Sequence, residues 1–495
     1  VASLKEKSIS GVIWDLVGRL ALQGIGFFIS IILARILSPD DFGLIAIIAV
    51  FINLASTFLD FGFSTALVQR KDVNETHYGT VFYLNVFIGT LLAIITFFSA
   101  PFFAAFYSKP ILTDLLRVMS ISFFVNAFGN VWRAYLRREM NFKATSVSSI
   151  IGSFLSGIVA ISMAFAGFGV WCLVILSISG QLFSTLVLFI GWKVPTHMKF
   201  NFSALKDLWG FSSKMFFSGL LDSIFFNFDA LIIGKTSSTA SLGYYYRAKS
   251  LENFSFRYTA ITLTNVLLPG LSSIQNDTET LKNVVIKIFK ILSIISFFGC
   301  GVLLISAREL IILLFSNKWE PSVLMFQILI VGAIAAQIFS LVYNVLLGTG
   351  HVKIYFLINM LSKIVLFINF FSLIFFGLTN YLVFLSVIQI LIFLTGLFII
   401  TRLFHYRKLL WVLLLKYLSC FLLSVIVSIF IKNIISLQSL LLNFLIISVL
   451  FSLLFFLGTK LFRCEGIHYI LVEVIIPLKN AILLALKKKN QNENI

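Results

Sequence analysis

Charge is what this chain has least of. Only 12% of its 495 residues are Asp, Glu, Lys or Arg, against about 25% in a soluble domain. A water-soluble fold of this size is thereby excluded. The four cysteines, Cys172, Cys300, Cys420 and Cys464, are widely spaced and form no CxxC, so they read as packing residues and not as a disulfide framework. The five histidines, His77, His197, His351, His405 and His468, fall in predicted loops or the tail without HxxxH or HxxE spacing, so no metal site is expected. There is no Walker A sequence to hold ATP phosphates. Neither a Gly-x-Ser-x-Gly elbow nor a Ser, His and acid on one extramembrane surface is present.

What the chain has is apolar length. It is 59% hydrophobic and 16% aromatic, with a mean hydropathy of +1.03. At about 20 residues per crossing, its apolar residues fill about fourteen transmembrane helices. The runs place them near 11–34, 42–63, 79–104, 113–132, 146–166, 169–191, 209–233, 244–269, 285–306, 322–346, 354–376, 379–401, 410–431 and 439–460. The first stretch carries Asp15 and Arg19, has no small-residue cleavage site after it and exceeds a signal h-region, so it reads as a span. No loop is longer than about 20 residues, which leaves no room for a soluble catalytic domain.

The net charge of +18 would suggest nucleic acid in a soluble chain, but no basic stripe with interleaved aromatics lies outside the spans. Sorted by loop, 24 Lys and Arg share a side with the termini. Six, Arg35, Lys109, Lys235, Arg308, Lys318 and Lys432, lie on the other. The positive-inside rule then puts both termini in the cytoplasm.

The chain also repeats itself. ILARILSPDDFGLI (32–45) aligns without a gap to IIGKTSSTASLGYY (232–245), with Ile32/Ile232, Ser38/Ser238 and Gly43/Gly243 identical. A weaker echo pairs 134–143 with 344–353. Six helices recurring in the same orientation are a transporter architecture, with the substrate site between the halves. The expected organisation is an N-lobe over 1–200, a C-lobe over 201–402, two extra helices over 403–462 and a cytoplasmic basic, amphipathic tail over 463–495. The apolar part of that tail is broken by Glu473, Pro477 and Lys479 and reads as interfacial.

Four segments carry a resemblance: 7–51, with LARILSPDDFG; TFLDFGFSTALVQRKD (57–72); YLRREMNFK (135–143); and AFAGFGVWCLV (164–174). They resemble the Wzx-like polysaccharide flippases of the multidrug/oligosaccharidyl-lipid/polysaccharide exporter superfamily, in the branch serving capsule, colanic-acid-like and teichuronic-type polymers. ASLGYYYRAKSL (240–251) and LFSNKWEPS (314–322) extend the likeness more loosely. The resemblance implies an all-α membrane protein with two six-helix lobes in a V around a cavity lined by spans 1, 2, 7 and 8. It also implies passage of an undecaprenyl-pyrophosphate-linked oligosaccharide from the inner to the outer leaflet of a bacterial cell membrane, with polysaccharide polymerase machinery as a partner.

Charge placement points to the same helices. An ionisable residue inside a span costs about 2.5–3.5 kcal/mol on insertion scales and faces a cavity or a partner. Span 1 lines up Asp15, Arg19 and Gln23 at i, i+4 and i+8; span 2 holds Asn53, Thr57 and Asp60. Lys214, Asp222 and Asp229 share a face of span 7, and span 8 carries Arg247, Lys249, Glu252 and Arg257. Counted from the turn near Ser238, Asp229 is level with Arg247 and Lys249, and Asp222 with Arg257. These charges either pair across the hairpin or line a cavity for an anion, for which Arg offers a planar fork of donors. Trp14, Tyr244, Tyr245, Tyr246, Asn53 and Asn227 are candidate sugar contacts.

Five acids against five bases on these four spans leave a multidrug cation antiporter of the same superfamily as the alternative. A membrane polymerase or ligase would need a long outer loop with Arg and His, which the chain does not offer. No catalytic residue and no cofactor are expected; proton coupling, sodium coupling and downhill movement stay open. A monomer in a lipid environment is the expected state.

Overall fold

A computed structural model of the chain describes residues 4–192, 199–405, 408–434, 439–466 and 469. Regular structure among them is helical throughout. The order is α1 (Leu4–Ile36), α2 (Pro39–Asp60), α3 (Phe63–Gln69), α4 (Glu75–Tyr107), α5 (Ile111–Met119), α6 (Ile121–Arg138), α7 (Phe142–Phe165) and α8 (Trp171–Gly191). There follow α9 (Phe202–Thr236), α10 (Thr239–Ser273), α11 (Thr278–Ile305), α12 (Ala307–Phe315), α13 (Pro321–Gly348), α14 (Val352–Leu403), α15 (Leu409–Ile434) and α16 (Leu440–Leu461).

Twelve helical stretches among the described residues are long and apolar enough to cross a membrane. The expected fourteen differ from this for two reasons. The 52-residue α14 contains both spans expected over 354–401, merged across a break at Gly377 (φ 78°, ψ 176°). The charge-bearing α10 is too polar to be among the twelve. The expected tail lies outside the described residues, apart from Arg463, Cys464, Glu465, Gly466 and Tyr469.

Two expectations are corrected. The fourth span does not stop at 132: α6 runs on to Arg138, so Arg133 and Arg138 are helical residues and not loop residues. His77 is not in a loop either. It sits buried in the first turn of α4, where Asn74 and His77 form a reciprocal cap.

By contacts the chain divides into residues 1–246 and 247–495. In the first unit α1 packs on α7, α7 on α8, α4 on α6, and α9 on α2, α3 and α4. Lipid tails are as apolar as Leu, so close backbone approach through small residues is what holds such helices together. A Cβ on Gly152 of α7 would fall 2.6 Å from the backbone N of Ser184 on α8. Ser146 donates to the Trp14 carbonyl at 3.0 Å and ties α7 to α1. At one end of the unit Arg138 closes α3, giving Nη1 to the Leu67 carbonyl (2.7 Å) and Nη2 to that of Lys71 (2.6 Å).

The repeat appears as a reciprocal contact. α2 and α10 both begin after an N-capping serine: Ser38 accepts from Asp41 N, and Ser238 from Ser241 N. A Cβ on Gly43 would lie 1.9 Å from the Thr239 carbonyl oxygen, and one on Gly243 2.0 Å from that of Pro39. Residue 43 meets 239 while 243 meets 39, the isologous pattern of a two-fold relation.

In the second unit α13 packs on α14 and α11, and α15 with α16 cover α11. Phe451 and Phe455 of α16 are fully buried, and Phe451 lies where a side chain on Gly301 would go. Lys432 of α15 reaches Glu309 of α12 at 2.8 Å and donates to the Ile305 carbonyl at 3.1 Å. The first of the two helices beyond the repeat, α15, is thus tied on by a buried carboxylate.

Candidate functional site

The charges that the sequence groups on four helices each acquire a local environment. On α1, Arg19 Nε lies 2.8 Å from Asp15 Oδ2, one turn away; the Arg19 side chain is largely open, and Asp15 and Gln23 are half-buried. On α2, Asn53 gives its amide to Asn227 Oδ1 of α9 at 3.2 Å, so these two candidate sugar contacts hold each other. Asp60 turns to the start of α3, accepting from the Ser64 N–H at 3.2 Å and from its hydroxyl. That carboxylate supplies the cap which Gly62 (φ 77°) cannot.

Asp229 of α9 accepts from the Tyr245 hydroxyl and from Ala230 N. Lys214 and Asp222 are exposed on the same helix. In the second unit, Lys249 and Glu252 pair at 2.7 Å. Arg247, only 3% exposed, lays its guanidinium over Phe315 (4.6 Å) and Trp319 (5.1 Å). A desolvated cation over two aromatic faces gains about 2 kcal/mol or more per strong contact. The Arg257 side chain lies outside the described residues, and its expected partnership with Asp222 with it.

A cavity that the sequence reading missed lies inside the first unit. Its volume is about 540 Å³, and α1, α2, α6, α7, α8 and the start of α10 wall it. Arg133 of α6 reaches into it, donating to Thr185 Oγ1 at 3.2 Å, with Asn130 Oδ1 at 3.5 Å. The signal was present in the sequence. Asn126, Asn130 and Arg133 stand at i, i+4 and i+7, as do Ser149, Ser153 and Ser156, and Ser177, Gln181 and Ser184. Each set is one polar stripe on an apolar helix.

Helical crossings, close small-residue packing and polar residues kept inside the apolar helices define an all-helical polytopic membrane protein. Solved structures share the fold. It matches the lipid II flippase MurJ in an inward closed conformation with a TM-score of 0.72 at 16% identity, over 92% of this chain and 100% of that one. It matches an inward-facing multidrug resistance MATE family transporter of the MOP superfamily at 0.60 and 13%, over 78% and 94%.

Residues 32–324 match the family described as polysaccharide biosynthesis protein, and the chain belongs to it. The lipopolysaccharide biosynthesis protein WzxC of Escherichia coli strain K12 is 25% identical over 366 residues, 72% of this chain and 73% of that one. The teichuronic acid biosynthesis protein TuaB of Bacillus subtilis strain 168 is 24% identical, over 72% and 74%. The exporter resemblance read from the N-terminal motifs is borne out by family and fold together.

Proposed function

We propose that this protein is a flippase. It moves an undecaprenyl-pyrophosphate-linked oligosaccharide repeat unit from the inner to the outer leaflet for cell-surface polysaccharide biosynthesis, breaking no covalent bond. The observation that carries this is the set of ionisable and amide residues kept at mid-helix positions on α1, α2, α9 and α10, where burial against lipid would be costly. The family, and relatives named for lipopolysaccharide and teichuronic acid biosynthesis, support it. In this reading the polyprenyl tail stays in lipid while the pyrophosphate and sugars follow the polar side chains, Arg19 and Arg257 among them. The lobes 1–200 and 201–402 rock to alternate access, and the product passes to a polymerase.

Reconstitution into liposomes with a defined lipid-linked oligosaccharide tests this. Sugar becoming accessible to a lectin on the far leaflet is the expected result, and runs with and without a proton or sodium gradient identify the coupling. Absence of leaflet crossing together with efflux of cationic dyes would overturn the reading in favour of the antiporter.

A further inference from the structure

The cavity inside the first unit has features that helix packing does not need. Arg133 is the one charged residue among those lining it, and no carboxylate lies within ion-pairing distance of it among the described residues. A guanidinium kept inside a membrane bundle without a counter-charge is a standing cost unless an anion comes to it. The hydroxyls point the same way. Ser146, Ser148, Ser156 and Ser179 are spent on carbonyls of the chain. Ser149, Ser153, Ser177 and Ser184, all on the cavity wall, make no side-chain hydrogen bond among the described residues. Gln181 Oε1 is buried there with no donor.

The volume and the single charge narrow the ligand. At about 30 Å³ per water, 540 Å³ equals about 18 waters. One halide would leave most of it empty, and the volume falls within the range of ligand pockets, about 300–1,000 Å³. One planar guanidinium matches the single charge of one carboxylate through two parallel hydrogen bonds, whereas it would leave one of a pyrophosphate's two charges unbalanced. Hydroxyls that both donate and accept, with an amide oxygen among them, match sugar hydroxyls.

We propose that this cavity binds a carboxylate-bearing sugar of the transported glycan, with Arg133 as the carboxylate receptor and the free serines and Gln181 as hydroxyl contacts. The proposal rests on the flippase reading and assigns it a substrate class, an acidic glycan. Binding by the purified full-length protein tests it, with cellobiouronic acid compared against its neutral parent cellobiose by calorimetry in a chloride-free buffer. The acidic disaccharide should bind at least about tenfold tighter, the order of one charge-assisted pair. Arg133→Gln should bring the ratio close to one, and Arg133→Lys should keep part of it. Ser177→Leu, which fills the cavity away from the charge, should weaken both sugars together. If Arg133→Gln is not recovered folded, the Lys and Leu variants carry the test.

Equal binding of the two sugars by the wild type would overturn the proposal. So would a preference that survives in folded Arg133→Gln, unchanged affinities in Ser177→Leu, or chloride alone displacing the acid at comparable concentration. Failure of the flippase reading is separately visible, as a wild-type protein that moves no polyprenyl-linked glycan while the binding ratio is unaffected.

Discussion

Arg19 and Asp15 meet one turn apart on α1 in an open, intrahelical pair. Such pairs contribute about 0.3–0.5 kcal/mol, so losing this one does not unfold the helix. Arg19→Gln is therefore expected to leave the amount of folded protein unchanged while glycan export falls at least about tenfold, one lost charge-assisted contact to pyrophosphate. Arg19→Lys should recover only part, because a point charge replaces a fork. Export measured in Asp15→Asn/Arg19→Gln decides between two roles. Normal export in the double variant means that Arg19 did no more than neutralise Asp15. The same pair of experiments applies to Asp222 and Arg257. Other members of the polar set have local work in the fold: Asp60 caps α3, and Asn53 is held by Asn227.

Between elements, the contact of α2 with α10 depends on two glycines that repeat at an offset of 200. The atoms a Cβ would strike at Gly43 and Gly243 are backbone carbonyl oxygens, which cannot rotate away as a side-chain tip does. Gly43→Ala/Gly243→Ala is expected to drive the turns after α1 and α9 apart. At an overpacking cost of about 1 kcal/mol or more, the population with the turns together falls at least about fivefold. A short bifunctional reagent joining Ser38→Cys to Ser238→Cys reads that population directly. Undiminished cross-linking in the alanine background would mean that the glycines set no limit on this contact. The pair α12–α15 is held differently, by Lys432 on Glu309, which is 3% exposed. Glu309→Gln leaves an unmatched ammonium, a loss of up to about 3–5 kcal/mol when fully buried and less here, where Lys432 is partly exposed. A lower melting temperature in the single variant, largely recovered in Glu309→Met/Lys432→Met, is the expected outcome.

For the whole molecule, the basic asymmetry predicts an orientation. If both termini are cytoplasmic and the crossings number fourteen, as the sequence predicts, a cysteine at Ser237 should react with an impermeant maleimide from outside intact cells. One at Ser203 should react only after permeabilisation. Labelling of Ser203 in intact cells would reverse the topology. Locking Ser38→Cys to Ser238→Cys should also stop export if the lobes rock, and full activity in the locked protein would count against rocking.

The membrane class, the helices, the internal repeat and the family were legible in the sequence because each depends on local information. Apolar length sets a crossing, a serine three residues before Asp41 or Ser241 sets a helix start, and the repeat is a matter of identity at fixed spacing. Arg133 shows where local information stops. Hydropathy falls after Trp132, so a span read from composition ends there and leaves the arginine in a loop. In the folded chain α6 continues, and serines 16–51 residues further on, carried by α7 and α8, line the same cavity as the arginine. The sequence determined that three helices carry polar stripes at i, i+4 and i+7. Only the tertiary structure decided that these stripes face one space, because which helix faces meet is set by close approaches such as Gly152 to Ser184, between residues distant along the chain.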